Sequence, residues 1–251
     1  MVAPGTVVYA LGTVAMLVGV AVVVHLLGND DLDAGAGRFR LLLAIPAFAA
    51  LSYAAMAAGI GQFSVGGYTV DTMRYVDWFV TTPVLVAYVG HVVDVDRRWL
   101  VGAAGADAVM IAAGWVATTT TGVTRWTGFA VSCVAFLALL YVLFRVFPRK
   151  AQTDTPERRR LFFRLRNQIG ILWMLYPVIW LASPVGFGLV STLGTAMLVT
   201  FMDVAAKVPY TWVVYEHRGI FGRTDAAATG TDGENGDVRP VGDDGPAPVA
   251  D

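Results

Sequence analysis

Seven stretches of mostly apolar residues follow one another along the chain, at 7–27, 39–59, 70–92, 99–119, 126–146, 161–181 and 190–215. Each reaches the roughly 20 residues that a helix needs to cross a bilayer. Between them stand the helix breakers: Gly28-Asn29-Asp30-Asp31, Gly66-Gly67, Asp94-Val95-Asp96, Thr118 to Gly122, and Ser183-Pro184 with Gly186. Most of these connections are short, so successive helices should pack as antiparallel neighbours. The pattern predicts an all-α fold, a bundle of seven transmembrane helices. Beyond about Gly222 the apolar pattern stops. The last residues are rich in Gly, Ala, Pro, Thr and Asp, a composition that cannot bury a core. The chain thus divides into a membrane domain at 1–222 and a disordered acidic tail at 223–251.

Composition supports a multi-pass protein of the cell membrane. Hydrophobic residues make up 56% of the chain and charged residues 15%, with a net charge of −1. So little charge cannot cover a water-soluble surface, and the balance offers nothing to nucleic acid. A single cysteine, Cys133, excludes a disulfide framework, and three scattered histidines give no metal site. A soluble enzyme is a poor reading. Of 18 basic residues, 15 fall in the 1–2, 3–4 and 5–6 connections, their flanks and the tail, all on one side of a seven-span weave. The positive-inside rule makes that side cytoplasmic and puts the N-terminus outside. The N-terminus lacks a basic leader and its apolar run is long enough to span, so it reads as a true helix rather than a cleaved signal.

Five ionisable residues break the apolar spans: Arg74 and Asp77 in the third, Asp107 in the fourth, and Asp203 and Lys207 in the seventh. Such residues are expensive in a membrane and mark function by default. Asp203 and Lys207 are four apart and share a helix face, as do Arg74 and Asp77, three apart, with Thr81 continuing that face. If the faces meet, two carboxylates and two cations form one compact neutral cluster. One reading is polar glue between helices. The other is chemical: a lysine in apolar surroundings can be a free amine able to condense with an aldehyde. Trp78 beside Asp77, and Trp173, Tyr176 and Trp180 in one helical stripe on the sixth span, would suit a flat apolar ligand. Core packing explains the stripe equally well. Pro177 should weaken the sixth span locally.

Three motifs carry a resemblance. Arg74-Tyr75-Val76-Asp77-Trp78-Phe79-Val80-Thr81-Thr82-Pro83, Leu172-Trp173-Met174-Leu175-Tyr176-Pro177-Val178-Ile179-Trp180 and Asp203-Val204-Ala205-Ala206-Lys207 resemble the third, sixth and seventh helices of haloarchaeal retinal proteins. Ile45-Pro46 with Tyr53, and Gly105-Ala106-Asp107, resemble the second and fourth. By this resemblance the chain is identified as a member of the microbial rhodopsin family. It implies all-trans retinal held by Lys207 as a protonated Schiff base. Asp77 would then be the primary counterion and proton acceptor, and Asp203 the second counterion, held by Tyr53 and Tyr176 with Arg74 below. Trp78, Trp173 and Trp180 would sandwich the polyene, and Thr82 would bond a protonated Asp107.

Departures from the family's pump pattern point to a sensor. The position of the internal proton donor is Tyr88, and those of the two release glutamates are Val185 and Thr195. Phe129 stands where pumps usually carry tryptophan, and the 2–3 connection is short. Retention of Asp77 argues against a chloride pump. The resemblance therefore implies a sensory rhodopsin-like photoreceptor working through a two-helix membrane transducer on spans six and seven. The arginine-rich segment 158–166 is a further candidate contact. The alternatives are a slow outward proton pump and a seven-helix protein without retinal. Subtype is mixed: the span-seven stretch resembles type I, the start of span six resembles type II, and Gln168 replaces the type I histidine. Nothing in the sequence decides whether the chain self-associates as a homo-oligomer.

Overall fold

The computed structural model describes residues 3–28, 36–152 and 154–217; the acidic tail and residues 29–35 lie outside them. The elements are α1 (Pro4–Gly28), α2 (Ala36–Ala57), β1 (Gln62–Val65), β2 (Tyr68–Asp71), α3 (Thr72–His91), α4 (Arg97–Thr119), α5 (Gly122–Tyr141), a π-helical turn (Val142–Val146), α6 (Phe147–Ala151), α7 (Pro156–Trp173), α8 (Leu175–Ala182) and α9 (Thr192–Glu216). The π turn joins α5 and α6 into the fifth span, and α7 with α8 forms the sixth. Each helix packs against its sequence neighbours, and α9 returns to pack on α1, α2 and α7, closing the bundle.

Polarity is arranged inside out. Leu11, Val14, Leu51, Leu137 and Phe201 face outward and are exposed, while Arg74, Asp77, Asp107, Asp203 and Lys207 are buried inside. That arrangement suits lipid, where every buried polar group must find its partner within the protein. Four segments, Pro4–His25, Arg97–Thr119, Gly122–Ala151 and Thr192–Glu216, are each long and apolar enough to cross a membrane. The fourth and fifth spans approach until backbones nearly touch: a Cβ on Gly128 would stand 3.0 Å from the Ala113 carbonyl oxygen. Small residues permit such contacts between membrane helices.

The structure corrects the expected boundaries. Hydropathy begins the third span at 70, but Val70 lies in β2 and α3 starts at Thr72. The 2–3 connection is an antiparallel hairpin pairing Gln62 with Asp71 and Val65 with Tyr68. Gly66 and Gly67 turn it, with φ of 57° and 87°; two positive φ angles in a two-residue loop match the strand twist and favour glycine. The fifth and sixth spans start earlier than expected, at Gly122 and Pro156, because apolar runs mark the lipid-facing length and not the polar turns that extend it.

The hairpin is fastened across one end of the bundle. Tyr68 Oη donates to the Thr118 carbonyl at 2.9 Å, and Arg125 donates to Tyr68 Oη at 2.7 Å and to the Val185 carbonyl at 2.9 Å. Burial raises the Tyr68 phenol above its ordinary value, with Arg125 pulling the other way. At the opposite, arginine-rich end, Arg158 donates to Asp94 at 2.7 Å and joins the 3–4 turn to the start of α7. The expected weak point of the sixth span lies at Met174, between α7 and α8. Pro177 has no N–H for the Trp173 carbonyl, so the helix is interrupted there.

Candidate functional site

Four spans converge on two carboxylates in the middle of the bundle. Asp77 and Lys207, 0% and 1% exposed, form an ion pair between Asp77 Oδ2 and Lys207 Nζ. The Thr81 hydroxyl donates to the Asp77 carbonyl at 2.8 Å, which fixes it one turn along the same face. Asp203 is held differently, by three neutral donors. Tyr53 Oη donates to Oδ2 at 2.7 Å, while Trp78 Nε1 and Tyr176 Oη donate to Oδ1 at 2.9 and 2.6 Å. Three donors satisfy the oxygens of a buried carboxylate without a salt bridge. Gly12 makes room for Tyr53: a Cβ there would lie 2.4 Å from its ring.

Arg74 stands apart from the cluster expected of it. It is 7% exposed, yet none of the ion pairs among the described residues includes it. Its guanidinium lies over the Tyr9 ring, 5.7 Å from the centroid, and Nη1 has no hydrogen-bond partner among the described residues. The four charges still sum to zero within the bundle, which limits the desolvation cost, but only Asp77 and Lys207 touch.

A cavity of about 200 Å³ extends from Lys207 and is lined by Trp78, Phe129, Trp173, Tyr176 and Trp180. Phe129 and Trp180 stack at 4.2 Å with 14° between planes, and Trp78 meets Tyr176 edge-on at 5.1 Å. Thr82 also lines it and bonds Asp107 at 2.7 Å, linking α3 to α4. Asp107 is fully buried, with Oδ1 unpartnered among the described residues. Tyr88 lies buried at the arginine-rich end of α3, edge-on to Tyr210 at 6.2 Å.

Sequence reasoning misses Thr118. The expected fourth span ends in the same threonine run that marks the next connection, so Thr118 draws no notice as a site residue, yet it is buried near the end of α4. Its Oγ1 accepts from Trp180 Nε1 at 3.0 Å and lies 2.5 Å from Tyr75 Oη, so it orients one wall of the cavity. Its place beside three further threonines (119–121) hides it.

An amine on the wall of an aromatic-lined cavity, paired with a carboxylate, is chemically fitted to a flat apolar molecule carrying a carbonyl. Known proteins share this arrangement of the chain. A family model described as bacteriorhodopsin-like protein matches residues 4–219. Sensory rhodopsin-1 of Halobacterium sp. (strain SG1) is 41% identical over 95% of both chains. Sensory rhodopsin-1 of Halobacterium salinarum is 43% identical over 85% of this chain and 89% of its own. Among solved structures, a thermophilic rhodopsin from Rubrobacter xylanophilus superimposes with a TM-score of 0.83 at 29% identity, covering 88% of this chain and 99% of its own. The chain belongs to the bacteriorhodopsin-like family.

Proposed function

We propose that this chain is a retinal photoreceptor of the sensory rhodopsin kind, signalling light for phototaxis through a membrane transducer. The observation that carries the reading is the buried Lys207–Asp77 pair at the end of an aromatic-lined cavity. The residues present fit the chromophore. Lys207 supplies an amine to the cavity, and Trp78, Trp173, Tyr176 and Trp180 supply flat walls for a polyene. All-trans retinal, when bound through a Schiff base to Lys207, supplies visible absorption and a light-driven change of shape to the 13-cis form.

The chain's own residues do the rest. Asp77 Oδ2 is the base in contact with Lys207 Nζ, so it balances the positive charge in the dark and takes the proton after light. Asp203, fixed by its three donors, is the second carboxylate beside the pair. Loss of the Asp77–Lys207 attraction frees the seventh span from the third, and the interruption at Met174 lets the sixth span yield. On the arginine-rich side Tyr88 occupies the place of a proton donor, and a phenol, a far weaker acid than a carboxylic acid, returns a proton slowly. The proton-poor state is then long-lived, which suits signalling more than pumping. Basic-residue placement puts the arginine-rich end in the cytoplasm, and spans six and seven face the two-helix transducer. Sequence identity of 41–43% to relatives named sensory rhodopsin-1 supports the sensory over the pump reading.

The test is reconstitution. The purified chain with all-trans retinal should develop a visible band, and Lys207→Ala should not. Vesicles carrying this chain without a transducer should acidify far less under light than vesicles carrying a true pump; equal sustained acidification would move the assignment to the slow pump.

A further inference from the structure

Asp71 is the residue before α3, where an aspartate ordinarily caps the helix by accepting from its first N–H groups. Here it makes no such bond. Its oxygens are turned elsewhere: Oδ2 accepts from Tyr9 Oη, and Oδ1 accepts from Gln62 Nε2 at 2.7 Å. The ring of that same Tyr9 lies under the guanidinium of Arg74, three residues along α3. Asp71 and Arg74 also line the outer part of the cavity that leads to Lys207. Arg74 is thus a buried cation with no ion-pair partner among the described residues, standing between Asp203 on the inner side and Asp71 on the outer.

We propose that Asp71 is a positioning residue that holds Arg74 toward the hairpin end and thereby sets how readily Asp77 takes up a proton. The proposal rests on the Lys207–Asp77 reading above. The ionisable groups around it are Tyr9 from α1, Tyr53 from α2, Tyr68 from β2, Arg74, Tyr75 and Asp77 from α3, Arg125 through Tyr68 from α5, Tyr176 from α8, and Asp203 and Lys207 from α9. Neutral Gln62 completes the shell from β1. With Asp71 ionised, the charge of Arg74 is shared between two sides. Removing the charge of Asp71 leaves Arg74 to the inner carboxylates and also removes a distant repulsion on Asp77. Both changes favour ionised Asp77.

The experiment is an acid titration of the pigment's colour. Protonation of Asp77 should move the visible band to longer wavelength. In Asp71→Asn, which keeps an acceptor for Tyr9, the midpoint should fall by about one pH unit, the lower end of the effect of a guanidinium neighbour on a carboxylate. Asp71→Ser carries the same expectation should Asn fail to give pigment. Asp71→Glu should return the midpoint to within about 0.3 of the wild type, since charge and not shape is at issue. A midpoint that stays put in the neutral variants, or rises, overturns this proposal alone. A wild-type pigment with no acid-driven colour change overturns the Asp77 reading and this proposal with it.

Discussion

Gln168 of the sixth span donates its side-chain amide to the Ala205 carbonyl of the seventh at 3.2 Å. That carbonyl is the one left without a helical donor by Pro209, whose ring nitrogen has no N–H to offer four residues on. The bond therefore repairs a helix defect and ties the sixth span to the seventh two residues from Lys207.

Gln168→Leu should lower thermal stability, followed as loss of the visible band on heating, by about 1 kcal/mol, within the range measured for hydrogen bonds between membrane helices. In a Pro209→Ala background, where a backbone N–H again serves Ala205, the same substitution should cost less than half as much. Equal costs in both backgrounds would disconnect Gln168 from the proline.

Asp77→Asn removes the carboxylate in contact with Lys207 and leaves Asp203, already bonded by three donors, as the remaining negative charge. The pigment should absorb at longer wavelength, and the proton-poor form should not appear on its normal timescale after a flash. An unshifted band with unchanged kinetics would remove Asp77 from its role.

Thr82 has one hydroxyl proton and two close oxygen neighbours, the Trp78 carbonyl at 2.6 Å and Asp107 Oδ2 at 2.7 Å. One proton cannot serve both. If it goes to the carbonyl, Asp107 must donate to Thr82 and is therefore the protonated acid. Dark-state infrared difference spectra, wild type minus Asp107→Asn, should contain the C=O stretch of a protonated carboxyl group. A carboxylate signal in its place would reverse the donor.

The hairpin clamp should be alkali-sensitive. Burial raises Tyr68 in the folded chain, so docking favours the neutral phenol. That contribution is fully present below the ordinary tyrosine value of about 10 and is lost as pH rises through the raised folded value. Heated at increasing alkalinity, the wild type should lose stability faster than Tyr68→Phe, which has no phenol to ionise. Parallel curves would mean that Tyr68 is not a pH-dependent fastener.

How much of this is legible in the sequence follows from what each residue costs. Lys207, Asp77 and Asp203 stand out because a charge in an apolar run is expensive wherever it points. Tyr53 and Thr82 come forward through the family motifs alone, since a tyrosine or threonine in a membrane helix is cheap enough to pass unnoticed. Thr118 and Asp71 both read as the edges of spans, because hydropathy reports length and not direction. The separation of Arg74 from its supposed partners also lies beyond helical spacing, which says that residues share a face and not what occupies the gap opposite.

Gly12 is the residue whose role only packing reveals. An added Cβ would stand 2.4 and 2.7 Å from Tyr53 ring atoms and 2.9 Å from Thr200 Cγ2. Tyr53 is fully buried, so its ring has little space into which to retreat. Gly12→Ala should cost about 1–3 kcal/mol, typical of overpacking, although alanine is the better helix former. The displaced phenol should also weaken its bond to Asp203, so the visible band should shift in the same direction as in Tyr53→Phe. Gly5, on the same helix, gives the contrast, because a Cβ added there would meet nothing within 4 Å. Gly5→Ala should leave the band in place and stability equal or higher. A Gly12→Ala pigment with wild-type colour and stability would mean that Tyr53 has freedom which its surroundings do not suggest.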